Sequence, residues 1–202
     1  MKMIGIIGDS IAHGFYDETD LGWVARLGRM IKQKYGPDYF FNNMAQSGDN
    51  IADAVHRAET EAVSRPLHLI IVNIGINDLR RRKNSNEQLD FSEGLRIVYW
   101  QKLLDILQKT GAEIVVTDLL PIIGKRYAFE ASLVRRTEDV VRYNEIIAEI
   151  CRQRNIRFLE RYAEWQKLDL DNLYYDATHP NAKGHQLLAE QMFDYLNKQH
   201  LL

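Results

Sequence analysis

Residues 3–14, MIGIIGDSIAHG, join a short apolar run to a Gly-Asp-Ser turn near the start of the chain. A short apolar run that ends at turn residues is typical of a buried strand of a parallel sheet. Neighbouring parallel strands need long crossover connections, and these are usually helices. The segment therefore predicts an α/β fold, and it places a serine just past the end of the first strand.

Four later runs have the same character as residues 3–7. They are short, rich in β-branched or aromatic residues, and bounded by turn residues or charges. These runs cover residues 39–42, 67–73, 113–118 and 156–159. Between and after the runs, apolar residues recur at helical spacing. The helical segments run from Trp23 to Ile31, Ile51 to Ala62, Ile97 to Leu107, Val140 to Ile150 and Leu187 to Leu196. The pattern predicts five parallel strands between helices, in a single doubly wound domain over residues 1–202.

Capping signals predict where these helices begin and end. Gly36, which precedes a proline, ends the first helix, and Gly111 ends the third. Asp49 or Asn50 is available to cap the second helix. The fourth opens with Thr-Glu-Asp at residues 137–139, whose carboxylates suit a helix N-terminus.

The composition excludes several classes of partner. The 202 residues have a formal net charge of −2, and Lys and Arg are spread along the chain, so we expect no nucleic-acid partner. The densest basic run, RRRK at residues 80–83, is typical of a solvated loop, and attraction of an anionic substrate is the alternative. Cys151 is the single cysteine, so an intrachain disulfide is excluded.

Neither a membrane span nor a secretion signal can be recognised in the sequence. No apolar run approaches the ~18 residues of a membrane span, and the first residues lack a signal-peptide pattern. We expect a soluble, cytoplasmic protein without stable membrane insertion. An export signal lost from upstream of Met1 is the alternative.

The longest irregular segment covers residues 121–135. It is either a mobile flap over a site or a long loop with a short helix in it. Its apolar and aromatic members either contact an acyl chain or pack the loop down. These members are Ile122, Ile123, Tyr127 and Phe129.

Polar groups follow the predicted strands at the points where ligands bind in α/β sheets. They lie in four blocks: GDS at residues 8–10, NNMAQSGDN at 42–50, GIND at 75–78 and DATHP at 176–180. Each block taken alone is ordinary turn or capping chemistry. Together the blocks supply a hydroxyl, a flexible backbone, an amide, a carboxylate and an imidazole, which is a complete reaction centre.

These blocks resemble the SGNH hydrolases, also called the GDSL esterase/lipase family, whose motifs carry Ser, Gly, Asn and His in that order. The matching residues are Ser10, Gly48, Asn77 and His179, so the resemblance spans nearly the whole chain. Ile11 stands where the family name has Leu, which is a conservative change. The resemblance implies a flavodoxin-like three-layer fold with a five-stranded parallel sheet, in agreement with the strand count made from the residues.

The resemblance also implies a role for each matching residue. Ser10 is the nucleophile, His179 its base, and Asp176 the carboxylate that orients the imidazole. The oxyanion donors are the backbone N–H groups of Ser10 and Gly48 and the side-chain amide of Asn77. We expect Asp9 to be structural.

The remaining histidines are weaker candidates for the base. His68 falls within the third predicted strand, where we expect it to be packed, and His56 lies on the second helix. His13 and His185 are expected near the site in structural or solvent-facing roles. His200 lies in the tail.

The resemblance implies hydrolysis of a small-molecule carboxylic ester through an acyl-enzyme, with no metal and no organic cofactor. Carbohydrate O-deacetylation, lysophospholipid hydrolysis and thioester hydrolysis are alternatives on the same site. A flavodoxin-type module for nucleotide or flavin is disfavoured, because GDSIAHG has neither a P-loop lysine nor a G-x-G-x-x-G pattern. A non-catalytic ligand-binding protein is the alternative from another class.

Overall fold

The central sheet is parallel, and it is ordered around the strand that precedes Ser10. The structure is a computed structural model that describes residues 1–19, 22–82, 88–123 and 133–202. Its strands are β1 (Lys2–Gly8), β2 (Tyr39–Asn43), β3 (Leu69–Asn73), β4 (Arg81–Arg82), β5 (Glu113–Thr117), β6 (Leu133–Val134) and β7 (Arg157–Leu159). Within the described ranges, five of them form one sheet in the order β2-β1-β3-β5-β7, and β4 pairs with β6 antiparallel. The predicted five-stranded parallel sheet is therefore confirmed.

The middle of this sheet is the apolar centre of the protein. Ile4 of β1 lies opposite both Phe41 of β2 and Leu69 of β3, so β1 is paired on both edges. Every residue of β3 is buried. Burial on both faces explains why β1 and β3 are continuous apolar runs rather than alternating ones.

The helices pack in two groups around the sheet. They are α1 (Ser10–His13), α2 (Trp23–Tyr35), α3 (Ile51–Ala58), α4 (Glu93–Gln108), α5 (Thr137–Gln153), α6 (Tyr162–Trp165), α7 (Leu170–Leu173) and α8 (Ala182–Lys198). α2 packs against α8, whereas α4 packs against both α3 and α5. Helices that flank a parallel sheet in this way make the flavodoxin-like α/β fold that the family resemblance implied.

Two helix boundaries differ from the predicted ones for local reasons. α4 begins at Glu93, earlier than the first apolar residue of its pattern, because the Ser92 hydroxyl caps the N–H of Leu95 at 3.4 Å. Asn50, rather than Asp49, caps α3, and it forms a capping box with Asp53. The rest of the predicted second helix continues as a π-helical turn over Glu59–Val63.

The interpretation of His68 as a packed strand residue is wrong. His68 precedes the first residue of β3 and its side chain is exposed. Its backbone N–H donates to the carbonyl of Met3 at 2.8 Å, and its carbonyl accepts from Glu113 at 3.0 Å. The residue therefore contributes backbone hydrogen bonds where the parallel strands begin, while its imidazole faces solvent.

Most of the segment proposed as a flap, including Tyr127 and Phe129, lies outside the described residues. At its start, Ile122 and Ile123 pack against the hydrophobic core, and the N–H of Ile123 donates to the carbonyl of Ala177 at 2.9 Å. For these two isoleucines the structure favours the loop-packing alternative. The flap itself stays a prediction.

Candidate active site

Ser10 is presented at the end of β1 by a tight strand-to-helix turn. A Cβ atom on Gly8 would lie 2.5 Å from the Cβ of Ala12 and 2.7 Å from the carbonyl oxygen of Asn73, so the turn requires glycine. Asp9 caps the helix that follows, because its Oδ1 accepts the N–H of Ile11 at 3.0 Å. Ser10 is thus the first residue of α1, and it is held at the carboxyl edge of the sheet.

The structure brings Ser10, His179 and Asp176 into one chain of hydrogen bonds. The Ser10 Oγ lies 2.8 Å from His179 Nε2. On the other side of the ring, His179 Nδ1 lies 2.7 Å from Asp176 Oδ2. A carboxylate at Nδ1 favours the tautomer with the proton on Nδ1, which leaves Nε2 as a hydrogen-bond acceptor for the Ser10 hydroxyl.

The loop between α7 and α8 fixes the carboxylate of Asp176. Its Oδ1 accepts the backbone N–H groups of Thr178 and His179, both at 2.8 Å. Burial by itself would raise the pKa of Asp176, but the hydrogen bond from His179 and those two N–H groups outweigh it and lower the pKa. The carboxylate therefore stays ionised while it orients the imidazole.

Two of the predicted oxyanion residues line the same site. Gly48 has a φ of +92°, a left-handed conformation that favours glycine. Asn77 donates one Nδ2 hydrogen to the carbonyl of Asp49 at 2.8 Å, and its Oδ1 accepts from Arg135 at 3.0 Å. Since an amide nitrogen carries two hydrogens, these bonds fix the orientation of the amide and leave a second N–H for a ligand.

Asp78, which follows Asn77, joins the third block to the second. It is fully buried, its Oδ1 accepts the N–H of Ile51 at 2.8 Å, and its Oδ2 accepts the hydroxyl of Tyr143. Burial raises the pKa of Asp78 to about 7, although the bonds from Tyr143 and Ile51 act in the opposite direction. The position of the loop that carries Gly48 thus depends on this carboxyl group, and sequence reasoning did not single it out.

The cavity above Ser10 has a volume of about 210 Å³. It is lined by Ser10, Phe15, Ser47, Gly48, Asn77, Arg80, Leu133, Arg135, Thr178 and His179. The interpretation of residues 80–83 as a solvated loop is therefore wrong for Arg80. Its side chain turns inward, and its Nη2 donates to the carbonyl of Gly48 at 3.2 Å. The position of Arg80 two residues after the third block was the one signal that could have indicated this.

Aromatic rings flank the imidazole of His179. The ring centroids of Phe15 and Tyr16 each lie 5.4 Å from that of His179. Tyr16 stacks on Tyr175 with a centroid separation of 3.8 Å, and the ring of Tyr175 is partly exposed to solvent. Tyr16 has a φ of +65°, a costly conformation for a residue other than glycine. Sequence reasoning missed this cluster, since no motif marks it.

His185 and His13 both make structural hydrogen bonds near the site. His185 is fully buried, its Nδ1 accepts the N–H of Trp23 at 3.3 Å, and its Nε2 donates to the carbonyl of Phe15 at 3.0 Å. His13 is exposed and bonds through Nδ1 to the carbonyl of Ala45 at 3.1 Å. Neither ring is bonded to Ser10.

Two further findings concern the described ranges only. They contain no group of three or more His, Cys, Asp or Glu side chains placed to hold a metal ion. In the same part of the chain, no helix combines the length and the apolar character needed to cross a bilayer.

Comparison with known proteins identifies relatives of the whole fold. The model of the GDSL-like lipase/acylhydrolase family matches residues 6–187. No curated protein sequence matches closely enough to count as a relative.

Solved structures resemble this one over almost their full length. The lipase/acylhydrolase from Enterococcus faecalis shares 17% identity with a TM-score of 0.78, covering 98% of this chain and 97% of that one. An acetyl xylan esterase shares 19% identity with a TM-score of 0.77, covering 96% and 99%. A variant of an acetyl xylan esterase from Geobacillus stearothermophilus also shares 19% identity, with a TM-score of 0.76 and coverage of 96% and 93%. At these identities the likeness establishes the fold.

Proposed function

This chain belongs to the GDSL-like lipase/acylhydrolase family and is a hydrolase of ester bonds, and from that premise we propose that it cleaves small carboxylic esters through an acyl-enzyme on Ser10. The observation that carries the proposal is the unbroken hydrogen-bond chain from Ser10 through His179 to Asp176, with bonds of 2.8 and 2.7 Å. A serine hydroxyl is a weak nucleophile at neutral pH, and such a chain is what activates it.

In the first step, Ser10 Oγ attacks the acyl carbon of the ester while its proton moves to His179 Nε2. The imidazole then carries a positive charge, which the ionised carboxylate of Asp176 stabilises through Nδ1–H. The bonds from Thr178 and His179 to the same carboxylate hold it in place, so no reorganisation is needed during attack.

The negative charge that develops on the carbonyl oxygen needs donors fixed in advance. The N–H of Ser10 has no acceptor within α1 because it opens the helix, and the N–H of Gly48 is presented by its left-handed backbone. The second Nδ2 hydrogen of Asn77 is the third donor. Loss of one such donor typically lowers kcat by ~10²–10³-fold.

In the second step, His179 Nε2–H returns the proton to the leaving alcohol oxygen as the ester C–O bond breaks. Water then replaces the alcohol, loses a proton to the same nitrogen and attacks the acyl-enzyme carbonyl. Collapse of this second intermediate releases the carboxylic acid and restores the Ser10 hydroxyl.

The size of the cavity favours a short acyl group. Its volume of about 210 Å³ lies below the ~300–1,000 Å³ of sites that enclose drug-sized ligands. This argues against the long acyl chain of a lysophospholipid. It is compatible with an acetyl ester, and Tyr175, which is partly exposed and stacks on Tyr16 beside His179, offers a flat surface for the alcohol part of such a substrate.

The test is hydrolysis of p-nitrophenyl acetate, butyrate and octanoate by the wild type, Ser10→Ala and His179→Ala, followed by stopped-flow absorbance. We expect the wild type to prefer acetate, and each variant to lose about 10⁴-fold or more in kcat, because the nucleophile and its base act as one unit. Circular dichroism checks that both variants are folded. Undiminished turnover by folded Ser10→Ala would overturn the acyl-enzyme proposal, and a preference for octanoate would overturn the short-acyl one.

An acetylated xylose in the same panel tests carbohydrate O-deacetylation, the activity named for two of the structural neighbours. The thioester analogue of the simple acetate tests the thioesterase alternative. Higher kcat/KM for either substrate than for the simple acetate would identify the class of the leaving group.

A further inference from the structure

Arg80 differs from the two arginines that follow it. Arg81 donates two hydrogen bonds to the carboxylate of Asp139, at 2.7 and 2.8 Å, and Arg82 forms an ion pair with Asp90 at 3.4 Å. In the described part of the chain, the guanidinium of Arg80 has one hydrogen-bond partner, the neutral carbonyl of Gly48. Its Nε is buried and has no hydrogen-bond partner among the described residues.

A second guanidinium, that of Arg135, is anchored at the wall of the same cavity. Its Nε donates to the carbonyl of Ile76 and its Nη2 to Oδ1 of Asn77, both at 3.0 Å. Two bonds from one planar group fix the plane of that group. Arg80 and Arg135 are thus anchored through Gly48 and Asn77, the two residues that carry oxyanion donors beyond Ser10.

Among the described residues that line the cavity, Arg80 has a charge that no hydrogen-bonded carboxylate neutralises, because its one partner is the neutral carbonyl of Gly48. Arg135 lines the same cavity. The nearby carboxylate of Asp176 is already occupied by His179 and two backbone N–H groups. A guanidinium whose one hydrogen-bond partner is neutral can donate its remaining Nη hydrogens to an anionic ligand group in the cavity.

We propose that Arg80, with Arg135, forms a subsite for a carboxylate on the substrate, so that the preferred esters carry a negative charge close to the ester bond. The inference rests on the proposed function. A carboxylate suits the planar guanidinium, which can donate two parallel hydrogen bonds to it. The charge is carried either by the acyl part or by the alcohol part of the ester, and the two sources are separated by experiment.

Two matched substrate pairs make the test. Methyl hydrogen succinate and methyl 4-oxopentanoate place a carboxylate or a neutral methyl ketone on the acyl side. Acetoxyacetate and acetoxyacetone do the same on the alcohol side. Acid release is followed in a pH-stat at pH 7.5, and the measured quantity is the ratio of kcat/KM for the charged ester to that for its neutral partner.

We expect the wild type to prefer the charged ester in one of the two pairs, and the pair identifies the source of the carboxylate. Arg80→Gln should lower that ratio on the order of 10- to 100-fold, the effect of losing a charge-assisted hydrogen bond. The matched control is Arg82→Gln, which removes the same charge from an exposed side chain outside the cavity. It should leave the ratio unchanged.

The outcomes separate this inference from the proposed function. A purely structural role of Arg80 in holding Gly48 would lower kcat/KM for both members of a pair together, which leaves the ratio constant and overturns the subsite. No preference for either charged ester by the wild type overturns it as well. The acyl-enzyme proposal stands in both cases as long as hydrolysis of the neutral esters requires Ser10.

Discussion

Asp9 lies next to Ser10, the proposed nucleophile, in sequence, and its carboxyl group caps α1. The residue is buried, and burial raises its pKa to about 6 despite the N–H of Ile11 and the nearby His179, which both act to lower it. The folded protein therefore binds the Asp9 proton more tightly than the unfolded chain, whose Asp pKa is ~3.9. Wherever the folded state holds more protons, stability declines as the pH rises.

Asp9→Asn should remove this part of the pH dependence while keeping an oxygen that can accept the N–H of Ile11. We expect the wild type to lose roughly 2–3 kcal/mol of unfolding free energy relative to the variant as the pH rises from 4 to 7. Guanidinium denaturation of both proteins at pH 4, 5, 6 and 7 measures the difference. Groups that do not interact with Asp9 titrate equally in both proteins and cancel. Stability curves that run parallel over this range would contradict the raised pKa.

The β1–α1 junction is the element on which the site depends most directly. The strand ends at Gly8, a single residue caps the helix, and α1 is four residues long, so Ser10 has little freedom to move along the sheet edge. The close contacts of Gly8 with Ala12 and the Asn73 carbonyl hold the helix against the strand ends. We therefore expect a change at this junction to shift Ser10 relative to His179.

Gly8→Ala should destabilise the protein by about 1–3 kcal/mol, because the added methyl group overpacks a junction made partly of backbone. It should also lower kcat, since the 2.8 Å contact between Ser10 and His179 depends on the same turn. Thermal unfolding and p-nitrophenyl acetate kinetics measure the two effects.

Gly94→Ala is the matched control, because a Cβ at this position of α4 meets nothing within 4 Å. It should raise stability by about 0.4–1 kcal/mol, through the lower entropy of the unfolded chain, and leave kcat unchanged. Equal effects of the two substitutions would show that the junction is not the cause.

At the scale of the whole molecule, α8 makes hydrogen bonds with residues of the segment that runs from Phe15 into α2, beside the candidate site. His185 on α8 bonds to Phe15 and to the first residue of α2, and Arg26 of α2 bonds to Gln186 at 2.8 Å. These hydrogen bonds hold the segment in which Phe15 and Tyr16 pack against His179. The C-terminal helix thus belongs to the support of the active site.

His185→Ala should cost about 2–4 kcal/mol of unfolding free energy at pH 7.5, because it leaves a cavity and two unpaired backbone groups. Burial lowers the pKa of His185, so protonation favours the unfolded chain below its ordinary pKa of ~6.5. The gap between wild type and variant should therefore narrow at pH 5.5. Urea denaturation at the two pH values measures it, and a gap that widens in acid would contradict the lowered pKa.

The sequence by itself determined the fold class, and it predicted the residues that we propose as the reacting groups. Apolar runs 39–42 and 67–73 became β2 and β3 with shifts of at most two residues. The run that became β3 is continuous because that strand is buried throughout. Turn residues at the ends of parallel strands meet at one edge of the sheet, so Ser10, Gly48 and Asn77 could be expected in one place. The proximity of His179 and Asp176 could be predicted for a different reason, since only two residues separate them and one loop presents both.

Only the tertiary structure decided which other side chains lie at the candidate site. Arg80 and Arg82 are alike in local sequence, yet one lines the cavity and the other forms an exposed ion pair. Asp78, His185 and the Tyr16–Tyr175 stack act through partners 27 to 170 residues away. Periodicity and capping report only on neighbours along the chain, whereas burial, pKa and cavity shape depend on the atoms that packing brings close.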